Sequence, residues 1–244
     1  VLAKAHTPLK LACPSHSTMS YASSIVALSE KPQAHTVDGK DYLQAAGAIC
    51  GQDQVSVLLR AYADSVAAKA LAEKTSGDRL IVSGETSLHQ PDNDLPIIMA
   101  SVVSNASDDQ YLNEVVIVGR LGTEAKDAES GKSTRRSVAV NRFFRSPDPA
   151  VTEPVEVTDW FSIRAYGFTK DRLAGADVGA LVEINGCFTQ MTNATGKPYV
   201  EVKARMVRVH RGSKGGSNPA AGTSAVGYDH ESFQGQPDEC PAAW

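Results

Sequence analysis

Along residues 160–166 apolar and polar side chains alternate with the period of two that marks a β-strand lying against a core. Phe161, Ile163 and Ala165 fall on one face, and Trp160, Ser162, Arg164 and Tyr166 on the other. The segment holding them, TDWFSIRAYG (158–167), is matched earlier in the chain by VSVLLRAYAD (55–64). Each is followed by a short helix-compatible stretch and then by an apolar run closed by a glycine, GDRLIVSGET and GALVEINGCF. Arg60 precedes Gly84 by 24 residues and Arg164 precedes Gly186 by 22; Pro96 and Pro198 each lie 12 residues beyond those glycines. Upstream stand two turns, Gly39-Lys40 and Gly131-Lys132, each behind an apolar β-like run that holds Ile25-Val26 or residues 115–118. The order strand, turn, strand, strand, helix, strand, turn, strand occurs twice, so the pattern predicts one all-β fold repeated in tandem.

Length agrees with two cores: 244 residues at 42% hydrophobic and 21% charged is ordinary globular composition. The repeats place one domain at residues 19–108 and a second at 109–212. Residues 1–18 carry two lysines and no acids before Met19 and read as a leader or upstream extension outside the fold, with a short targeting segment as the other reading. Residues 213–244, rich in Gly, Ser, Asn and Ala, read as a flexible tail. No run approaches the roughly 18–20 apolar residues of a membrane helix, so a soluble protein is expected. Cys13, Cys50, Cys187 and Cys240 are scattered without a CxxC pair, and the six histidines are dispersed. Neither a zinc site nor a disulfide framework is indicated, and no cofactor, metal or catalytic residue is predicted. Gly-Ser-Lys-Gly-Gly at 212–216 lacks the Walker pattern.

The overall charge of −4 hides an uneven distribution: residues 19–108 carry −5, residues 109–212 carry +2, and the tail −3. The second repeat is thus the basic module, and its cations bracket aromatics in Asn141-Arg142-Phe143-Phe144-Arg145. An indole, a guanidinium and a phenol in a row on a strand whose other face is apolar suit unpaired nucleic acid: rings stack on bases and cations follow phosphates. On this reasoning Trp160, Tyr166 and Phe143 or Phe144 supply stacking. Arg135, Arg142, Arg145, Arg164 and Lys197 supply phosphate contacts, with Tyr199 beside them.

The series NEVVIVGRLG (113–122), SVAVNR (137–142), TDWFSIRAYG and VEINGCF (182–188) resembles the bacterial single-stranded DNA-binding protein family across about residues 111–211. The resemblance implies two tandem OB-fold barrels, five-stranded and Greek-key, each with a short helix. The family's stacking aromatic at the start of the third strand falls on Trp160, the one six residues later on Tyr166, and the one after the second strand on Phe143 or Phe144. A further family tryptophan has no counterpart in Thr189-Gln190-Met191-Thr192. Two OB domains in one chain resemble the branch of the family in which a homodimer supplies four barrels.

The first repeat reads as a reduced copy. Gly39 to Arg60 spans 21 residues against 33 from Gly131 to Arg164, so the connection between its second and third strands is cut to a tight turn near Gly51-Gln52-Asp53. It has no tryptophan, and Arg60 and Tyr62 are expected to give only weaker DNA contact, with assembly as its main role. The chain ends in Pro237-Asp238-Glu239-Cys240-Pro241-Ala242-Ala243-Trp244. The resemblance implies a partner-binding tip, with Asp238, Glu239 and Trp244 recruiting replication and repair proteins. The expected function is non-enzymatic binding and protection of single-stranded DNA in replication, recombination and repair, in the cytoplasm at the nucleoid or in an organelle. A replisome or primosome scaffold and an RNA-binding OB protein are the alternatives.

Overall fold

The computed structural model describes residues 18–51, 54–88, 95–145, 154–193 and 195–210, without the side chains of Phe144, Arg145 and Pro154. The first half of the chain forms β1 (Met19–Leu28), β2 (Gln33–Val37), β3 (Lys40–Ile49), β4 (Ser56–Tyr62), α1 (Val66–Ala72), β5 (Arg79–Ser87) and β6 (Ile97–Asn105). The second forms β7 (Asn113–Leu121), β8 (Lys126–Asp127), β9 (Ser133–Arg145), β10 (Pro154–Tyr166), α2 (Gly167–Ala174), β11 (Leu181–Thr192) and β12 (Pro198–His210).

Both halves close in the same order. In the first, β3, β4, β6, β5 and β1 pair in sequence and β1 returns to β3; in the second, β9, β10, β12, β11 and β7 do the same, with β7 returning to β9. The contacts β4–β6 and β10–β12 are parallel and the other pairings antiparallel. A closed five-stranded Greek-key barrel with a helix between its third and fourth strands is the OB fold. The inner faces alternate apolar as the period of two requires. Ala22, Val26, Leu59, Leu80 and Val82 line one core; Ile117, Val138, Phe161, Ile163, Ile184 and Val202 line the other. Each helix adds leucine to its core, Leu71 from α1 and Leu173 from α2. The start of α1 is capped by Ser65, whose hydroxyl accepts from the Ala68 N–H at 3.0 Å.

The closing glycines of the repeated pattern have a definite task. In each barrel the ladder between fourth and fifth strands slips by one residue, at Ser83/Gly84 and at Asn185/Gly186, leaving Ser101 and Arg205 as the extra residues of two β-bulges. A Cβ on Gly84 would lie 1.9 Å from the Met99 carbonyl oxygen, and one on Gly186 2.3 Å from that of Lys203. Only glycine lets the bulged strand approach so closely.

The two barrels share one twelve-stranded sheet because β1 pairs antiparallel with β7, from Met19–Val118 to Ser24–Asn113. The seam continues through side chains. The Thr18 hydroxyl donates to the Asn141 carbonyl at 2.8 Å and accepts from the Asn141 N–H at 2.9 Å, as another peptide would. Within the second barrel Asn113 likewise extends the β7–β11 ladder to Phe188, donating to its carbonyl at 2.9 Å and accepting from its N–H at 3.0 Å.

Arg136, fully buried, donates to the carbonyls of Thr123, Leu173 and Ala176. Burial pushes its pKa down, opposed by Glu124 and Asp177. Its charge lies at the C-terminal end of α2, where the helix dipole favours a cation. This arginine, counted in the positive balance of the second repeat, is therefore internal.

Substituting alanine at Gly186 must push β11 and β12 apart at the bulge. Gly186→Ala is expected to lower unfolding stability by roughly 1–3 kcal/mol, read as a lower urea midpoint at unchanged slope.

Candidate nucleic-acid interface

β9 and β10 form one long hairpin paired without slippage from Ser133–Tyr166 to Arg145–Pro154. Unbroken register keeps each cross-strand pair on one face. The pairs Ala139–Trp160, Ser137–Ser162 and Arg135–Arg164 therefore share the outer face, and Phe143 joins them opposite Glu156. On the inner face Phe161, Ile163 and Ala165 are fully buried.

Three rings stand out from the outer face: Trp160 at 49% exposure, Tyr166 at 42% and Phe143 at 61%. Of the two candidates at Phe143 and Phe144, Phe143 has the parity of the outer face; nothing further is described of the Phe144 or Arg145 side chains. Trp160 has a made seat. Its partner across the ladder is small Ala139, and a Cβ on Gly122 would lie 2.2 Å from the indole Cζ3. The indole thus rests on the backbone at Gly122, which limits its rotamers.

The arginines divide by where strand parity puts them. Arg135, 44% exposed in its side chain, donates from Nε to the Ser162 hydroxyl at 2.7 Å and lies 5.1 Å from the centre of the Tyr199 ring. It is an exposed cation of this face. Arg164 was expected in the same role, but its guanidinium is held by the carboxylate of Glu201, which is 1% exposed, with Ser133 adding a contact. The hydrogen bond to Glu201 raises the Arg164 pKa against the opposing pull of burial. Arg164 is a positioning residue: it ties β10 to β12 and, through Glu201 at 3.8 Å from Arg135, orients the exposed cation. Arg142 also departs from expectation. Its parity sends it to the inner side, where it pairs through Nε and a terminal nitrogen with fully buried Asp159. Removing such a buried carboxylate's partner leaves an uncompensated charge, so each arginine has a structural duty inside the protein.

Lys197 is exposed in the turn between β11 and β12, where its N–H donates to the Asn193 side chain at 2.9 Å. Residues Thr189 to Thr192 complete β11. Lys203 was not foreseen. It projects from β12, paired with Arg164, and its ammonium lies 5.6 Å from the centre of the Tyr166 ring. The alternation Val202, Lys203, Ala204, Arg205 carried that signal, since buried Val202 and Ala204 flank an exposed lysine. Gly122 was visible at the end of NEVVIVGRLG, but its role depends on a contact 38 residues distant. Glu201 was invisible because a glutamate between Val200 and Val202 in an alternating strand looks like surface.

The first barrel fills the same positions differently. Counting back four residues from Arg60 as from Arg164 gives Ser56 where the second barrel has Trp160. The paired part of its β3–β4 hairpin runs only from Tyr42–Tyr62 to Ala48–Ser56. Tyr62 is half exposed, yet its ring already meets Tyr42 at 5.1 Å between centroids. Arg60, expected to touch DNA, is buried: its Nε donates to Gln44 at 2.7 Å and its guanidinium lies 5.9 Å from the Tyr42 ring centre. Burial pushes the Arg60 pKa down, opposed by Tyr42 and Asp38, and burial beside Tyr62 pushes that of Tyr42 up. Asp238, Glu239 and Trp244 lie outside the described residues. Among the described residues no group of His, Cys, Asp and Glu could hold a metal ion, and no helix is long and apolar enough to cross a membrane.

Tandem OB barrels of this kind recur among solved structures. The chain is similar in fold to the wild-type single-stranded DNA-binding protein from Thermus aquaticus, at a TM-score of 0.56 and 14% identity over 87% of this chain and 98% of that one. A deletion mutant of the Thermus aquaticus protein gives a TM-score of 0.57 at 13% identity, covering 80% of this chain and 96% of that one. No family model and no curated protein matches the sequence.

If the seat at Gly122 holds the indole, Gly122→Ala must displace it while leaving the barrel folded. The expected result is a shift in Trp160 emission with little change in far-ultraviolet circular dichroism; an unchanged emission spectrum would count against the seat.

Proposed function

We propose that this chain binds single-stranded DNA with little sequence preference, coating and protecting exposed strands in replication, recombination and repair, and that it is not an enzyme. The observation that carries the reading is the outer face of β9, β10 and β12. There Trp160, Tyr166 and Phe143 stand exposed among Arg135, Lys203 and Tyr199, above a sheet that buries Phe161, Ile163 and Ala165 on its inner face. Stacking rings accept any base, and cations between them neutralise phosphates, so affinity comes without base-specific hydrogen bonds. The fold shared with two structures described as single-stranded DNA-binding protein supports the same reading.

Assembly as a homodimer with four barrels belongs to this proposal. Met19, Tyr21, Val116 and Val118 share the outer face of the β1–β7 seam, and Met19 is half exposed. The C-terminal tip with Asp238, Glu239 and Trp244 would recruit replication and repair proteins, and the site of action would be the nucleoid or an organelle.

A second reading, a scaffold for replication proteins, is favoured by one part of the molecule. The first barrel has a short hairpin, an internal arginine, and two tyrosines already in mutual contact. This fits a barrel that contacts protein more than nucleic acid.

Titration of a Trp244→Phe chain with DNA and RNA oligomers, following Trp160 fluorescence, separates the readings. Quenching by poly-dT supports the proposal, equal quenching by RNA supports a general single-strand binder, and none supports the scaffold. Trp160→Ala is expected to weaken poly-dT binding by roughly 1–3 kcal/mol. Binding should fall as salt rises, and Arg135→Ala should reduce the slope of log K against log salt by about 0.7 to 1, whereas a cation without phosphate contact leaves it unchanged.

A further inference from the structure

The ring-and-cation pattern does not stop at Tyr166. Gly167, at φ +50°, turns the chain into α2, and the next residue, Phe168, is the most exposed aromatic side chain among the described residues at 69%. It contributes nothing to the barrel core, where α2 is represented by Leu173. One helical turn on, Arg172 lays its guanidinium over the Phe168 ring at 4.5 Å from the centroid. That guanidinium is itself anchored, donating to the Val207 carbonyl of β12 at 3.3 Å. The ring is therefore backed on one side by a fixed cation and open on the other.

Tyr166 is built in the same manner, with Lys203 of β12 at 5.6 Å from its ring centre. Two successive rings, two residues apart and within about 7 Å of chain, thus each carry a cation positioned from β12. The first turn of α2 is fixed as well: the Lys170 ammonium donates to the Gly131 carbonyl at 2.6 Å and pairs with Asp127 at 3.4 Å. Of the acids around α2, Asp127 is met by Lys170, and Asp171, exposed, precedes Arg172 in the helix. The first barrel has Asp64 where the second has Phe168, counting equally from Arg60 and Arg164.

We propose that Phe168, with Arg172 behind it, is a further base-stacking position, taking an unpaired base of the same strand beyond Tyr166. The bound strand then continues from the hairpin over the start of α2. This rests on the reading of the β9–β10 face as a single-strand site, and it adds one base step to that face. Phe168 lies outside the alternation of β10, so the strand pattern gave no sign of it.

The test uses the full chain carrying Trp244→Phe and dT oligomers of increasing length, with Trp160 emission reporting the hairpin platform. Phe168→Ala is expected to weaken binding of long oligomers by about fivefold or more. It should leave unchanged both the final quenching of Trp160 and the affinity of the shortest oligomer that saturates it. Because Phe168 is exposed, the variant should keep the parent's thermal midpoint. Phe168→Trp in a Trp160→Phe, Trp244→Phe background places the sole indole at the proposed position. Its emission should be quenched by long oligomers, and affinity should remain within about twofold of the same background bearing Phe168. Equal affinity of Phe168→Ala and parent at every length, or an unquenched indole at this position, overturns the inference while quenching at Trp160 leaves the platform standing. Absence of quenching at Trp160 in the parent overturns the platform and this position together.

Discussion

The architecture depends on how two long strands share their edges. β1 uses Val26 to Leu28 to reach β3 and close its own barrel, and uses Met19 to Ser24 to pair with β7 of the other. β7 does the converse, closing its barrel through Arg120 and Leu121 against β9 and offering Asn113 to Val118 to β1. Main-chain N–H and C=O groups cannot be left unpaired inside a protein, so each strand must be long enough to serve both duties. A first strand of ordinary length would close a barrel and leave no seam, or form a seam and leave an open edge prone to pairing with other chains. Thr18 and Asn113 extend the arrangement beyond the ladder by offering side-chain groups where the next peptide would stand.

The seam reaches the proposed binding face. Thr18 holds the peptide of Asn141, and Asn141 lies two residues before Phe143 on the strand that carries half the hairpin. From there the face is fixed by charge: Asp159 holds Arg142 and Glu201 holds Arg164, each carboxylate buried and each arginine bound through two nitrogens. Such pairs seldom add much net stability over an apolar core, but they impose one geometry on the groups around them. A surface that meets a flexible polymer benefits from that rigidity, because order already present in the protein is not lost on binding. It also means that net charge overstates the cations available: Arg136, Arg142 and Arg164 all belong to the interior or to its rim.

Alternation in residues 160–166 was enough to separate core from surface on β10, and the tandem repeat was enough to show one fold used twice, because both signals are local. The partners of the arginines were not legible. Glu201 is 37 residues from Arg164, and only the parallel contact of β10 with β12 brings them together. The same holds for the seam, whose register joins Met19 to Val118 across a whole domain. Glycines fell between these cases. Gly84 and Gly186 could be seen to end apolar runs, but the carbonyls that exclude a Cβ belong to Met99 and Lys203 on a strand yet to come. Arginines misled most because a charged residue in an amphipathic strand looks exposed until its counter-charge is found.

The two barrels diverge only where topology permits. Most inner positions are apolar in both copies, and each keeps a bulge opposite its closing glycine. What fills the bulge is free to change, Ser101 in one copy and Arg205 in the other, as is the outer face, where Ser56 stands for Trp160 and Asp64 for Phe168. In the first barrel the outer rings satisfy each other, Tyr42 against Tyr62 with Arg60 beneath, so contact surface is spent within the protein. In the second barrel Tyr166 and Phe168 are backed by cations held at β12, and both rings are exposed. Both arrangements preserve the ladder, so a duplicated barrel can lose or gain an external ligand by exchanging a few outward side chains without disturbing the seam that holds the pair together.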